Sequence, residues 1–426
     1  MHPRDDDRCD VLVIGGGPAG TTAAAVLAMR GRDVVLLEKD AHPRFHIGES
    51  LLPRNLAIFD RLGLRDQIHA MGVVKPGAEI IDDSTGSTVD FNFADGLDRA
   101  FTFAYQVRRA ELDAALFANA KGHGARVMER TRVTEVHFDR EVDDGRPRVV
   151  ARDADGSTQT FRPRFVLDAS GRDTFLASRL RLKQSDKRNN TGAVYAHFTG
   201  IRHRVDEMAG CITVYLVDDG WFWVIPLPDD VTSVGFVGTR EAFRQRTGSP
   251  GDLLSRRIAA TTTLRTQMRD ARMVSAVMTA GNYSYRARRG MGDGYMLIGD
   301  AFAFVDPVFS SGVMLAMTSG AYGADVADTW LNDRRAGTRR ARVAERRLRG
   351  AMDRLNWMIY RINDPVFRHM LLHPTNRFRM RDGLISVLAG NIEQTPGLFL
   401  PLLAFRATWR ILSLARRAGF STATSI

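Results

Sequence analysis

The chain has 426 residues, 44% hydrophobic and 26% charged, the balance of a soluble globular protein with two or three structural units. Two distant cysteines, Cys9 and Cys211, exclude a disulfide framework or a zinc cluster and suit a reducing cytoplasm. A net charge of +11 invites a nucleic-acid reading, but no binding motif accompanies it.

Residues 1–9 are polar and acidic and lead directly into an apolar strand, which is not the pattern of a signal peptide. No run of roughly 18 consecutive apolar residues occurs, so no transmembrane helix is expected. The run from Asp10 to Ile14 predicts a strand ending in the turn Gly15-Gly16-Gly17-Pro18-Ala19-Gly20, with an alanine-rich helix behind it. A second strand, Asp33 to Leu37, ends at Glu38. Gly15 permits the tight turn, Gly17 a close approach of pyrophosphate, and Gly20 close packing of helix on strand. Pyrophosphate would rest on the free N–H groups at the start of the helix that Pro18, Ala19 and Gly20 open, and Glu38 would accept the ribose hydroxyls.

Further along, Arg44-Phe45-His46-Ile47-Gly48-Glu49-Ser50 follows Lys39, and Lys75 stands in Gly72-Val-Val-Lys75-Pro-Gly-Ala. Tyr105-Gln106-Val-Arg-Arg109 introduces a helix, for which capped surface charge is the plain reading and cofactor contact the sharper one. Asp168-Ala-Ser170-Gly171 closes another strand. Trp221-Phe-Trp223-Val-Ile225-Pro226 places two tryptophans on one face of a strand, by period-two geometry. Gly299-Asp300 ends an apolar run and leads to Asp306-Pro307-Val-Phe309-Ser310-Ser311-Gly312-Val313, small residues before a helix that suit an anion or a flavin-contacting turn.

Nine arginines lie between Arg334 and Arg354, either a solvated helical face or a surface for an acidic partner. His369 and His373 are four apart, but no third ligand joins them and Pro374 ends the helix, so no metal site is expected.

Taken together, these segments resemble a flavin-dependent halogenase. The GES segment, Lys75, the complete WxWxIP signature and the Ser310–Gly312 loop carry the resemblance across nearly the whole length. It implies an α/β (α+β) fold: a Rossmann-like FAD-binding domain of the aromatic hydroxylase/monooxygenase type over residues 8–72, 106–184 and 286–330. A mixed-sheet substrate domain would occupy 73–105 and 185–285, with a helical cap over 331–426.

The resemblance also assigns roles. Lys39, Arg44, Ile47, Gly48, Glu49, Ser50, Gln106, Arg109, Asp168, Ser170, Gly171, Gly299, Asp300, Pro307, Gly312 and Val313 would line the FAD site with the fingerprint residues. Ser310, Ser311 and Gly312 would hold chloride or bromide. Trp221, Trp223, Ile225 and Pro226 would partition flavin from substrate.

The implied reaction uses FADH2 and O2, through a C4a-hydroperoxyflavin, to turn halide into hypohalous acid guided to catalytic Lys75. Its target would be a phenolic or pyrrolic aromatic, free or tethered to an acyl carrier protein. Phe309 stands where the tryptophan branch carries glutamate, which disfavours that branch and leaves the base unassigned. With no second dinucleotide fingerprint, a separate NAD(P)H-dependent flavin reductase is the expected partner, in the cytoplasm. An aromatic hydroxylase, a prenyl-chain reductase and a non-catalytic flavin-binding regulator are the competing readings.

Overall fold

Val11 to Ile14 are buried in the strand Asp7–Ile14, and a strand covered on both faces is continuously apolar rather than alternating. A computed structural model describes residues 7–100, 102–138, 145–244, 248–304, 306–391 and 396–419. The first strand pairs in parallel with Val34–Leu37 on one side and Thr158–Asp168 on the other. Arg126–Met128 and Tyr295–Leu297 extend the parallel array outward. Met291–Gly292, Arg148–Arg152 and Arg132–His137 bring this sheet to eight strands. Helices Pro18–Ala28 and Gly312–Asn332 pack against each other beside it.

A second, nine-stranded sheet runs in the order Ala303–Phe304, Met278–Ala287, Lys183–Thr199, Thr232–Thr239, Gly220–Pro226, Ile212–Val217, Gly77–Asp82, Thr88–Asn92, with Arg272–Met273 beside Lys183–Thr199. Its neighbours are antiparallel except at one junction, where Ile212–Val217 and Gly77–Asp82 run parallel. Period-two alternation splits the strand Gly220–Pro226 between two cores. Trp221, Trp223 and Ile225 face the main core, while Phe222 and Val224 face a smaller one completed by Leu253 and Leu254. A short ladder of Gly72–Lys75 with Ala104–Val107 links the two sheets' territories.

The fold class expected from the sequence is the one observed. From Arg334 onward the described chain is helical: Arg334–Ile359, Pro365–Leu372, Met380–Leu388 and Pro396–Arg417, with one short 3-10 turn between. In the first of these, Ala341, Ala344, Leu348 and Leu355 are buried, while Arg339, Arg342, Arg346 and Arg347 face solvent.

The helix Gly397–Arg417 is long and apolar enough, by length and composition, to cross a bilayer, and only 22% of its apolar window is buried. Counting consecutive apolar residues missed it because Arg406 and Arg410 interrupt the run.

Candidate active site

Register brings the separated motifs together. Ile14 pairs with both Leu37 and Asp168, and Asp168 pairs with Leu297. The four parallel strands therefore end at one edge, from which Gly15, Glu38, Ala169 and Gly299 emerge. In open α/β sheets that edge is where ligands bind.

The glycine turn is enforced by contact. Gly15 adopts φ +104, and a Cβ there would stand 2.4 Å from the Ala169 carbonyl oxygen. A Cβ on Gly20 would approach the Gly15 carbonyl oxygen to 1.9 Å. Gly17 precedes a helix that starts at Pro18, whose missing N–H costs nothing in the first turn. Glu38 Oε2 accepts the Gly16 amide at 2.7 Å, and Oε1 accepts from Asp40 at 2.9 Å.

Two arginines line the same approach. Arg109 donates to both oxygens of buried Asp113 at 2.9 and 3.1 Å and to the Ile47 carbonyl at 2.9 Å. Arg44 lies 3.3 Å from Asp113 and 3.5 Å from Glu38. Asp168 is buried and receives the Ser170 and Leu176 amides, at 2.9 and 2.8 Å. Ser170 Oγ accepts the Phe175 amide, and Gly171 adopts φ +62. Lys39 reaches outward to Asp173 at 2.5 Å. Burial raises the Asp300 carboxyl to about 6, against the opposing pull of Arg172 and Arg109.

The loop before the long helix has its own geometry. Asp306 accepts from Thr191 at 3.0 Å and from the Val308 amide at 3.2 Å, pinning the loop to the nine-stranded sheet. Ser310 adopts φ +54, a left-handed conformation that non-glycine residues keep only under surrounding constraint. Ser311 caps a 21-residue helix without a side-chain hydrogen bond, and a Cβ on Gly312 would meet nothing within 4 Å. An anion or ring thus has room beside that helix's first turn. The side chain of Pro307 lies outside the described residues. Phe309 is buried, as is Val313.

Lys75 is 1% exposed. Its ammonium donates to Ser50 Oγ and to the Leu51 carbonyl, each at 2.9 Å, and sits 5.3 Å from the Phe93 ring. Burial lowers the group to about 7, against an opposing pull from Cys211. Ser50 makes an isolated antiparallel bridge with Gln106, whose Nε2 donates to the Gly210 carbonyl at 3.2 Å. Among the described residues, Gln106 Oε1 and Glu49 Oε2 are buried without a hydrogen-bond partner. Gly48 adopts φ +112 beside Arg109.

The tryptophans are neighbours, with ring centroids 5.9 Å apart and both rings 5% exposed. Trp223 Nε1 donates to Ser233 Oγ at 3.1 Å. Ile225 and Pro226 complete the buried strand.

Sequence reasoning missed several residues of this region. His197 meets Glu49 at 2.7 Å, Tyr195 packs at 5.7 Å from Trp223, and Asp113 pairs with both arginines. Strand alternation could have put Tyr195 and His197 on one face; their partners come from 148 residues away for the Glu49 pair, beyond any local signal.

Comparison with known proteins follows this geometry. Residues 8–323 match the family model described as FAD binding domain. The chain is 35% identical over 320 residues to a tryptophan 2-halogenase of Chondromyces crocatus, covering 74% of this chain and 60% of that protein. It is 30% identical to a 1H-pyrrole-2-carbonyl peptidyl-carrier-protein chlorinase of Pseudomonas fluorescens, covering 74% of each. The structure of a myxobacterial chondrochloren halogenase superposes with a TM-score of 0.76 at 35% identity, over 81% of this chain and 80% of that one.

The chain belongs to the flavin-dependent halogenase family.

Within this halogenase family, relatives named for tryptophan and for a carrier-tethered pyrrole are both similar to the chain, so names alone do not divide the branches. The chain spans less than two thirds of the Chondromyces halogenase's length, and 65% of a halogenase of Armillaria mellea.

Proposed function

We propose that the chain is an FADH2-dependent halogenase acting on a phenolic or pyrrolic aromatic, free or carrier-tethered, with chloride or bromide and O2. The observation that carries this reading is Lys75, a buried ammonium that meets no carboxylate among the described residues and is aimed by Ser50 and Leu51. A stable fold gains little from such a group, so its retention points to chemistry.

FAD fits the sheet edge: the Gly15–Gly20 turn gives backbone access, Gly312 leaves open space, and Arg44 and Arg109 supply positive charge. When bound and reduced, with O2 and halide, it supplies hypohalous acid. Amides of the Gly17–Gly20 helix start would hold the pyrophosphate and Glu38 the ribose, with Ile47, Gly48, Glu49, Ser50, Gln106, Asp300 and Val313 nearer the ring. Ser310, Ser311 and Gly312 would present N–H groups to halide.

Near neutral pH Lys75 exchanges between ammonium and amine. As ammonium it donates to the oxygen of hypohalous acid and makes the halogen more electrophilic; as amine it can attack the halogen, forming an N–halogen bond as the halogen–oxygen bond breaks and water leaves with one amine proton. Trp221 and Trp223 wall the substrate side. In this reading residues 8–72, 106–184 and 286–330 are the flavin unit, and 73–105 with 185–285 are the substrate unit. A separate flavin reductase provides FADH2.

A single-turnover assay tests the proposal. Photoreduced, FAD-loaded protein meets oxygenated buffer with bromide or chloride and a panel of phenols and pyrroles, free and carrier-tethered. Mass spectrometry should find a halogen isotope pattern that Lys75→Ala abolishes while flavin reoxidation continues. Oxygenated products indifferent to halide and to the substitution would overturn it in favour of a hydroxylase.

A further inference from the structure

The helix Gly397–Arg417 presents a face that none of the described residues covers. Leu400, Leu403, Ala407, Ile411 and Leu414 follow one another at steps of three and four, so they share one stripe. Four of them are large and well exposed: Leu400 60%, Leu403 50%, Ile411 66% and Leu414 63%; Phe399, beside the stripe's start, is 71% exposed. The opposite face is anchored. Leu398, Phe405 and Leu412 are buried, Trp409 Nε1 donates to Asp364 at 3.1 Å, and Trp357 packs on Trp409 and Phe405.

Charge on this helix has one sign. Arg406, Arg410, Arg416 and Arg417 lie along it, and from Gly397 to Arg417 there is no aspartate or glutamate. An apolar stripe with Arg410 and Arg417 along one edge complements a surface that is oily within and anionic without. A spanning arrangement does not fit, because Arg406 and Arg410 fall in mid-helix and the other face is committed to the protein. A second copy of the chain fits poorly too: self-pairing about a two-fold would bring the arginine rows together with no acid on the helix to offset them.

We propose that Gly397–Arg417 docks the protein, lying flat, on an anionic lipid bilayer. The stripe sinks among the acyl chains' upper segments, and Arg410 and Arg417 meet lipid phosphates. None of the stripe residues is among those assigned to catalysis, and the proposal does not depend on that assignment.

Flotation of the full-length protein with vesicles tests it, comparing phosphatidylcholine alone with equal parts phosphatidylcholine and phosphatidylglycerol. Strong binding to the anionic vesicles, weaker binding to the neutral ones, and loss at high salt are expected. The variant Leu400→Glu/Leu403→Glu/Ile411→Glu should partition at least about tenfold less. Arg410→Glu/Arg417→Glu should lose the preference for phosphatidylglycerol while keeping residual apolar binding. All five positions are exposed, and FAD content with thermal unfolding checks that both variants are folded. No flotation with either vesicle, or unchanged flotation by the triple variant, would overturn the proposal. So would a solution dimer dissolved by the triple variant, which would assign the face to a second copy. Salt-sensitive binding to an acidic carrier protein without vesicle binding would likewise overturn it.

Discussion

Glu49 Oε1 lies 2.7 Å from His197 Nε2, joining the segment after the first βαβ unit to the nine-stranded sheet. The second carboxylate oxygen is buried without a partner among the described residues. The imidazole is therefore the group that compensates a buried carboxylate.

Removing that compensation should be costly. His197→Ala is expected to destabilise the protein by about 3 kcal/mol, because an unpaired buried charge costs more than the pair itself is worth. His197→Gln, which can still donate to Glu49, should recover about half of the loss. Urea unfolding of the three proteins checks this, and equal stability of Ala and Gln variants would refute the pairing argument.

Lys75 makes stability depend on pH with a defined sign. Burial lowers its folded value to about 7 from an ordinary 10.5. Between those values the unfolded chain binds a proton that the folded chain refuses, so stability should rise with pH across that window. The slope from this one group is at most ~1.4 kcal/mol per pH unit. Lys75→Met should lack this contribution, a difference read from denaturant titrations of both proteins at several pH values. Parallel curves would mean that the lysine is not desolvated.

The glycine turn admits no Cβ. Gly20→Ala forces a carbon to within 1.9 Å of the Gly15 carbonyl oxygen, backbone that cannot step aside cheaply. A loss of about 3 kcal/mol or more and purification without FAD are expected. Gly31→Ala makes the control: its Cβ would meet nothing within 4 Å, although its φ of +74 adds about 1 kcal/mol of strain. Absorbance of bound flavin and thermal unfolding measure both.

Trp223 lies over Gly235 on the adjacent strand, where a Cβ would fall 2.2 Å from the indole. Gly235→Val should expel the ring and cost about 2–4 kcal/mol. Trp223→Phe should cost less, about 1–2 kcal/mol, through the lost hydrogen bond to Ser233 and some ring volume. Near-ultraviolet circular dichroism reports the ring's environment, and an unchanged spectrum in Gly235→Val would contradict the packing.

What was legible in the sequence is what local geometry encodes. The run Asp10–Gly20 could be read because a buried parallel strand, a glycine turn and a helix follow one another without interruption. Trp221 and Trp223 could be placed on one face because strand periodicity is strict. Lys75 was picked out by family resemblance alone; nothing in Val73-Val74-Lys75-Pro76 says that its ammonium is buried. His197 and Gly235 were silent because their meaning lies in partners supplied by tertiary pairing. The helix Gly397–Arg417 escaped notice because arginines interrupt its apolar run, and only the fold distinguishes its covered face from its bare one.

The weaving of the two sheets bears on how the polypeptide is made. The end of the strand Thr158–Asp168, from Val166 to Asp168, stays unpaired on one side until Tyr295–Leu297 arrives, and Gly77–Asp82 waits for Ile212–Val217. While the ribosome is still translating the intervening residues, open strand edges with apolar faces stand ready to pair with a neighbouring nascent chain. Contacts so distant in sequence also form slowly. Yield on overproduction should thus be governed by synthesis rate and chaperone supply more than by the stability of the finished molecule.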